Sequence, residues 1–177
     1  MHRFCLPFEN TPENSVNILR NLGWKIDLVA GLFDEAFLKE RRCAGLELAK
    51  APIRCAMSIY HPLAQKSRLS VQNLYGENFM LIRRGWNRYL DVLRDDLWRL
   101  HPQISIVDFE MFNLSVFNRC QNSSDILMTV DVWDGVHPLL KTVPVDWDYT
   151  IPFGLLHAPQ PSPAVGRFLE AVKAAYC

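Results

Sequence analysis

The sequence predicts an α/β protein of two lobes, each a mixed, mostly parallel sheet flanked by helices, with two crossover strands joining them. Three observations indicate this architecture. Short apolar runs typical of strands alternate with helical patterns, as they do in βαβ units. The alternation occurs in two series, separated by a long apolar run that ends at His61-Pro62. The last apolar runs have no βαβ partner in the second series, so we expect the chain to return to the first lobe near Val143.

The first series opens lobe one. The run RFCLPF at residues 3–8 predicts a buried strand. The helix after it begins with Thr11 as N-cap and Pro12 at the first helical position, and it ends before Gly23. A second strand is predicted at residues 26–30. A strand, a helix and a strand within thirty residues predict a right-handed unit with a parallel strand pair.

The remaining elements follow from the same patterns. The long apolar segment predicts two strands, at residues 46–48 and 53–59, joined at KAP. Further strands are predicted at residues 78–83, 103–112, 125–130, 139–145 and 151–156, with helices at 86–100, 113–121 and 162–175, the last capped by Ser162.

These elements divide the chain into two units. We expect lobe one to comprise residues 1–56 and 144–177, and lobe two to comprise residues 57–143. The predicted hinge consists of the residues at the two crossings, which are Tyr60, His61, Pro62, Val143 and Pro144.

The composition argues against several functions. Lysine plus arginine and aspartate plus glutamate both total 19, so the chain lacks the excess cations of a nucleic-acid binder. The five cysteines form no C-x-x-C pair, which argues against a disulfide framework or a zinc site and favours a reducing compartment. The N-terminal MHRFCLPFEN is not a secretory signal, and no apolar run approaches the ~20 residues of a membrane-spanning helix. We expect a soluble cytoplasmic protein without membrane contacts.

Several segments resemble the effector-binding domain of LysR-type transcriptional regulators. The family's strand, His-Pro-Leu-Ala turn and following strand are matched by residues 55–82, CAMSIYHPLAQKSRLSVQNLYGENFMLI. LGWKIDLVAG (22–31) is similar to a strand of the family's first lobe. The segment from Val143 to Val172 resembles its closing strands and C-terminal helix. The resemblance covers nearly the whole chain and implies the two-lobe fold of type II periplasmic binding proteins.

The chain also departs from the family pattern. It has no counterpart of the winged helix-turn-helix, and it opens at what matches the second strand of the effector domain. The missing strand lies between its neighbours in sheets of this order, so its loss would leave backbone groups unpaired. We expect the chain to be a fragment of a longer regulator or the product of a truncated gene.

Open α/β sheets bind ligands beyond the carboxyl ends of their strands, so the candidate ligand-binding residues lie in the loops there. The segment Arg84-Gly85-Trp86 suggests an anion, since a guanidinium meets the N–H groups of a helix start. The alternative is that the arginines are simply solvated, that Glu9-Asn10-Thr11 only caps a helix, and that Phe33 and Phe112 only fill the core. The full set is Phe8, Glu9, Asn10, Thr11, Phe33, Asp34, Arg83, Arg84, Gly85, Trp86, Met111, Phe112 and Asn113.

No catalytic residues, metal ligands or cofactor are predicted. His61-Pro62 is explained by proline's fixed φ, and no nucleophile and base can be assembled around the histidine. Asp131, Asp134, Asp146 and Asp148 match no metal loop and are expected to form a solvated rim.

The resemblance implies a non-enzymatic ligand sensor, the effector-binding domain of a LysR-type regulator. It implies a small organic anion as effector, a homodimer or tetramer in the full-length regulator, and DNA binding only through the missing winged helix-turn-helix. The alternatives are a solute-binding protein of the same fold, a non-functional regulator fragment, or an enzyme on this scaffold.

Overall fold

The computed structural model describes residues 12–176. The strand predicted at residues 3–8 and the N-cap Thr11 lie outside this range. The main elements are α1 (Pro12–Arg20), β1 (Leu28–Leu32), α2 (Glu35–Arg41), β2 (Ala44–Ser58), β3 (Asn78–Ile82), α3 (Arg88–Leu100), β4 (Ser105–Phe109), α4 (Leu114–Gln121), β5 (Ile126–Val130), β6 (Leu140–Pro144), β7 (Thr150–His157) and α5 (Pro163–Tyr176). Short 3-10 turns form at Pro62–Gln65, Val71–Leu74 and Asp131–Trp133.

The strand β2 joins the two lobes. Its first part pairs antiparallel with β7, as far as Pro52. From Ile53 onward it pairs antiparallel with β5, and from Arg54 also with β6. We use lobe one for the sheet of β1, β7 and the first part of β2, and lobe two for the sheet of β3–β6 and the rest of β2. The chain returns through β6 and β7, which both run antiparallel to β2.

The prediction of two strands joined at KAP is wrong, because β2 is continuous over 15 residues. Pro52 lacks an N–H group and therefore suggested a break. It lies where β2 leaves β7 and before it meets β5, so a missing donor interrupts neither ladder. The division at residues 56/57 and 143/144 stays a prediction.

Lobe two contains a parallel core. β3 pairs in parallel with β4 on one side and with β5 on the other. Every residue of β5 is buried, as expected for a strand covered by helices on both faces. The predicted strands and helices of this lobe are confirmed, with small differences at their ends.

Asparagine side chains set the starts of the lobe-two helices. The Asn87 side chain accepts a hydrogen bond from the Tyr89 N–H, so α3 begins two residues later than predicted and Trp86 lies outside it. Leu90, Leu93 and Leu97 form its buried stripe.

In lobe one, β1 pairs antiparallel with β7. Within residues 12–176 no strand pairs with the other edge of β1, so β1 is an edge strand in the part described. The predicted cap of α5 is confirmed, since the Ser162 hydroxyl accepts a hydrogen bond from the Val165 N–H. A separate small core of Leu19, Phe33, Cys43 and Leu156 holds this lobe together.

Candidate functional site

A cavity of about 190 Å³ lies between the lobes. Its lobe-two wall is aromatic, and its lobe-one wall is largely aliphatic and comes from α1, β1, α2 and β7. Because both lobes contribute, the cavity's shape depends on how the lobes are arranged. The lining residues are Ile18, Leu19, Val29, Ala30, Gly31, Leu32, Phe37, Trp86, Met111, Phe112, Trp133 and Leu156.

The aromatic wall is built around Phe112. Its ring lies 4.8 Å from the Trp133 ring, 6.3 Å from the Trp86 ring and 4.8 Å from the Phe109 ring, all in edge-on contact. These residues follow or end the parallel strands of lobe two, so they lie together at the carboxyl ends of those strands. Edge-on ring packing of this kind is favourable beyond simple burial. The wall is therefore a firm surface suited to a flat, apolar group.

The two lobes are connected beside the cavity by Asp34. This residue is the N-cap of α2, and its Oδ1 accepts a hydrogen bond of 2.7 Å from the Phe37 N–H. Its Oδ2 accepts a second bond of 2.7 Å from the N–H of Arg88, the first residue of α3. The Asp34 residue is 4% exposed. One buried carboxylate thus contacts the N-terminal ends of two helices, one in each lobe.

A second contact between the lobes lies at the surface. The Arg88 guanidinium is 3.3 Å from the Glu35 carboxylate, and it also donates to the Tyr89 hydroxyl. The hydrogen bond and the electrostatic interaction with Tyr89, and after them the charge of Glu35, raise the pKa of Arg88 above its usual value. Exposed ion pairs of this kind contribute little to stability.

The groups expected to attract an anion already have partners inside the protein. Arg83 is 2.7 Å from Glu110. Arg84 pairs with Asp95, and this hydrogen bond lowers the pKa of the Asp95 carboxyl below its usual value.

The Gly85 N–H, at a left-handed φ of 84°, donates to both carboxylate oxygens of Asp91 at 3.1 Å. The charged and N–H groups of residues 83–85 are therefore already paired with carboxylates elsewhere in lobe two.

Of the predicted site residues, the structure brings Trp86, Met111 and Phe112 into the cavity wall. Phe33 is instead buried in the lobe-one core, where its ring packs below Gly45. Asn113 caps α4 by accepting a bond from the Val116 N–H. The predicted residues that lie outside the described range are Phe8, Glu9, Asn10 and Thr11.

The predicted hinge residues occupy two places. Tyr60, His61 and Pro62 follow the end of β2 within lobe two, and Val143 and Pro144 pair with β2 near the crossing. The partner change itself occurs at Pro52–Ile53. His61 is buried, and its Nδ1 accepts a hydrogen bond from the Leu63 N–H. That these five residues form the hinge stays a prediction.

Sequence reasoning missed Trp133 and the whole lobe-one wall. Trp133 follows the carboxyl end of β5, so the rule that found Phe112 would also have found it. Its neighbour Asp131 is half-buried and lies 3.8 Å from Arg54, rather than being a solvated rim residue. The wall residues of β1 and β7 carry no sequence signal that separates them from core residues.

Metal ligands, membrane spans and reactive thiols are the other features that bear on function. Among residues 12–176, no three His, Cys, Asp or Glu side chains are grouped to hold a metal ion. Within the same range, no helix is both long enough and apolar enough to span a membrane. Cys43, Cys55 and Cys120 are free and buried. Burial raises the pKa of all three thiols.

Solved structures with a similar fold exist at low sequence identity. The effector-binding domain of QuiR in complex with shikimate matches with a TM-score of 0.66 and 15% identity, over 96% of this chain and 79% of that chain. The BenM effector-binding domain with its effector benzoate gives a TM-score of 0.60 and 16% identity, over 96% and 77%. CbnR, a LysR family transcriptional regulator, gives 0.67 and 12%, over 93% and 56%.

No protein-family model matches the chain, and no curated protein sequence matches it. At 12–16% identity the structural likeness establishes the fold. The chain has the two-lobe fold of the effector-binding domains of LysR-type transcriptional regulators.

Proposed function

We propose that this chain is a ligand-sensing module, in which a small organic molecule binds in the cavity between the lobes and biases their arrangement. The observation that carries the proposal is the cavity itself, whose walls come from both lobes. A ligand that contacts both walls has different affinities for different lobe arrangements, which is what a sensor requires. The module acts without catalysis. Its likeness to regulatory domains that hold shikimate and benzoate supports this assignment.

The ligand we propose is a small organic acid that carries a ring. Shikimate and benzoate, bound by the similar domains, are both ring carboxylates. The edge-on wall of Trp86, Phe112 and Trp133 suits the face of such a ring. The lining side chains carry no charge, so the acid group has to lie outside the contact with this wall.

The wider setting is proposed by analogy with the LysR family. The module would act in the cytoplasm, as the free thiols of Cys43, Cys55 and Cys120 suggest. It would assemble as a homodimer or tetramer and influence DNA through a winged helix-turn-helix domain. The neutral overall charge supports the absence of DNA binding by this chain alone.

The test is thermal unfolding against a panel of ring carboxylates, their uncharged amides and aliphatic acids. A compound present at ~100 times its dissociation constant should add ~2.7 kcal/mol of stability. We expect at least one ring carboxylate to raise the melting temperature, and its amide to raise it less.

Two variants locate the binding. Trp133→Ala removes part of the aromatic wall and should abolish the shift measured against the variant's own ligand-free melting temperature. Trp98→Ala removes an exposed tryptophan of α3, 78% accessible and outside the cavity lining, and should leave the shift intact. If no compound moves the transition, or if Trp133→Ala keeps the full shift, the cavity is not the sensing site.

A further inference from the structure

Asp34 lies between the lobes, next to the cavity and in contact with a helix of each lobe. We infer that it is a latch that holds the two lobes together in the arrangement seen here. The inference deepens the proposed function, since it concerns the regulation of the same cavity. It rests on the proposed function only for its link to ligand binding. The latch itself is a statement about how this chain holds its two lobes.

The hydrogen bonds that Asp34 accepts are strong. The Asp34 carboxylate accepts one N–H from each of two helix starts, and both distances are 2.7 Å. Hydrogen bonds to an ionised acceptor are stronger than neutral ones, and a helix N-terminus favours negative charge. Asp34 is 4% exposed as a residue, so water screens these contacts weakly.

The bond between Asp34 and lobe two is not needed to cap either helix. The Phe37 N–H bond to Oδ1 already gives α2 its cap. In lobe two, the Asn87 side chain caps α3 at Tyr89. Neither helix therefore needs the bond between Oδ2 of Asp34 and the Arg88 N–H in order to begin. That bond spans 54 residues of sequence and ties one lobe to the other.

The latch lies close in sequence to both walls of the cavity. Leu32 and Trp86 both line the cavity, one in each lobe. Each lies two residues before a partner of the latch, since Leu32 precedes Asp34 and Trp86 precedes Arg88. Separating Asp34 from α3 therefore draws the two cavity walls apart. A ligand that contacts both walls needs them close together, so the intact latch favours its binding.

Asp34→Asn tests the latch selectively. An asparagine Oδ1 still caps α2, because asparagine is a favoured N-cap residue. Its amide N–H group would then face the Arg88 N–H, and two donors cannot bond. We expect the amide hydrogen of Arg88 to exchange roughly tenfold faster or more, as loss of a charge-assisted bond predicts. The Phe37 amide should keep its protection. Small-angle X-ray scattering should show a larger radius of gyration than for the unmodified chain.

Two further variants complete the test. Asp34→Ser also keeps a cap oxygen for α2 but is too short to reach lobe two, so it should behave like Asp34→Asn. It serves in its place if that variant does not fold. Glu35→Gln removes the exposed contact with Arg88 and should change neither the Arg88 exchange rate nor the radius of gyration.

Two results would overturn the latch. One is an Arg88 exchange rate that stays at the unmodified value in both Asp34 variants. The other is equal loss of protection at Phe37 and Arg88, which would reduce Asp34 to a cap of α2. Neither measurement uses a ligand. Failure of the proposed function would appear in the thermal panel, and failure of the latch would appear in hydrogen exchange.

Discussion

Gly154 of β7 lies directly against the backbone of Leu46 in β2, so closely that a Cβ atom added at Gly154 would overlap the Leu46 carbonyl. The two strands are paired here across Glu47, next to the register shift between Glu47 and Ala49. The close approach holds the first part of β2 in lobe one. A side chain at position 154 would have to push the strands apart.

Gly154→Ala should therefore destabilise the protein by about 1–3 kcal/mol or more, the usual cost of forcing extra atoms into a packed site. Urea unfolding measures the change. Gly166→Ala is the matched control, since a Cβ there, in the first turn of α5, meets no atom within 4 Å. It should stabilise the helix by roughly 0.5–1 kcal/mol. Equal effects of the two variants would contradict the close approach.

Arg94 anchors α3 to the strand β3 of lobe two. Its Nη2 donates to the Ile82 carbonyl at 2.7 Å and lies 2.6 Å from Asp108. Arg94→Ala leaves the carbonyl without this donor and should cost about 1–3 kcal/mol in chemical unfolding. Asp108 is largely exposed, so Asp108→Asn should cost under about 0.5 kcal/mol. Matching losses in the two variants would mean that the ion pair is the dominant contact.

Phe112 supports the aromatic wall. It is 6% exposed and contacts the rings of Trp86, Phe109, Phe117 and Trp133. Phe112→Ala should lower the free energy of unfolding by about 3–5 kcal/mol, the range for a buried phenylalanine.

The matched control is Phe168→Ala in α5, where the ring is 43% exposed and a smaller loss follows from the smaller buried area. If the two variants lose equal stability, Phe112 is not a packing centre.

Alkaline pH should destabilise the protein through Cys120. Burial raises the pKa of this thiol from 9.0 to about 12, although backbone hydrogen bonding lowers it in part. The unfolded thiol ionises first, so the stability that the neutral thiol contributes is complete below pH 9.0 and is lost as the pH rises toward 12.

Unfolding by urea at about pH 8 and about pH 10.5 should show a loss on the order of 1–2 kcal/mol from this residue. Cys120→Ser should lose less stability between the same two pH values, because its hydroxyl does not ionise there. Parallel losses in the variant and the unmodified chain would assign the alkaline effect to other groups. Tyr149 is one such group, since burial and its bond to Asp96 raise its pKa to about 12.

Four of the five helices described, all except α2, and most strands could be predicted because their signals are local. The buried stripe of Leu90, Leu93 and Leu97 repeats at helical spacing, and the mostly apolar sequence of β5 is typical of a buried strand. The caps at Asn113 and Ser162 likewise use atoms within three residues. The error at β2 arose because a proline in an apolar run predicts a break. The sequence does not show that β2 changes its partner strand at Pro52.

The candidate site was predictable in part. The rule that ligands bind beyond the carboxyl ends of strands led to Trp86, Met111 and Phe112, which line the cavity. The same rule did not separate Phe33, which packs in the core, or Arg84, which is neutralised by Asp95. A loop position shows that a side chain is near the site, but its partners decide whether it is free to bind.

By itself the sequence determined the alternation of strands and helices, the ends of most helices and the two-lobe architecture, because these depend on periodicity and on contacts within a few residues. Only the tertiary structure decided that β2 is one strand shared by both lobes. It also decided that carboxylates from elsewhere in lobe two pair with the loop at residues 83–85. It decided as well that one Asp34 oxygen binds α2 and the other binds α3. These features are pairings between groups far apart in the chain. No local pattern specifies them, because each depends on where the fold brings the partner.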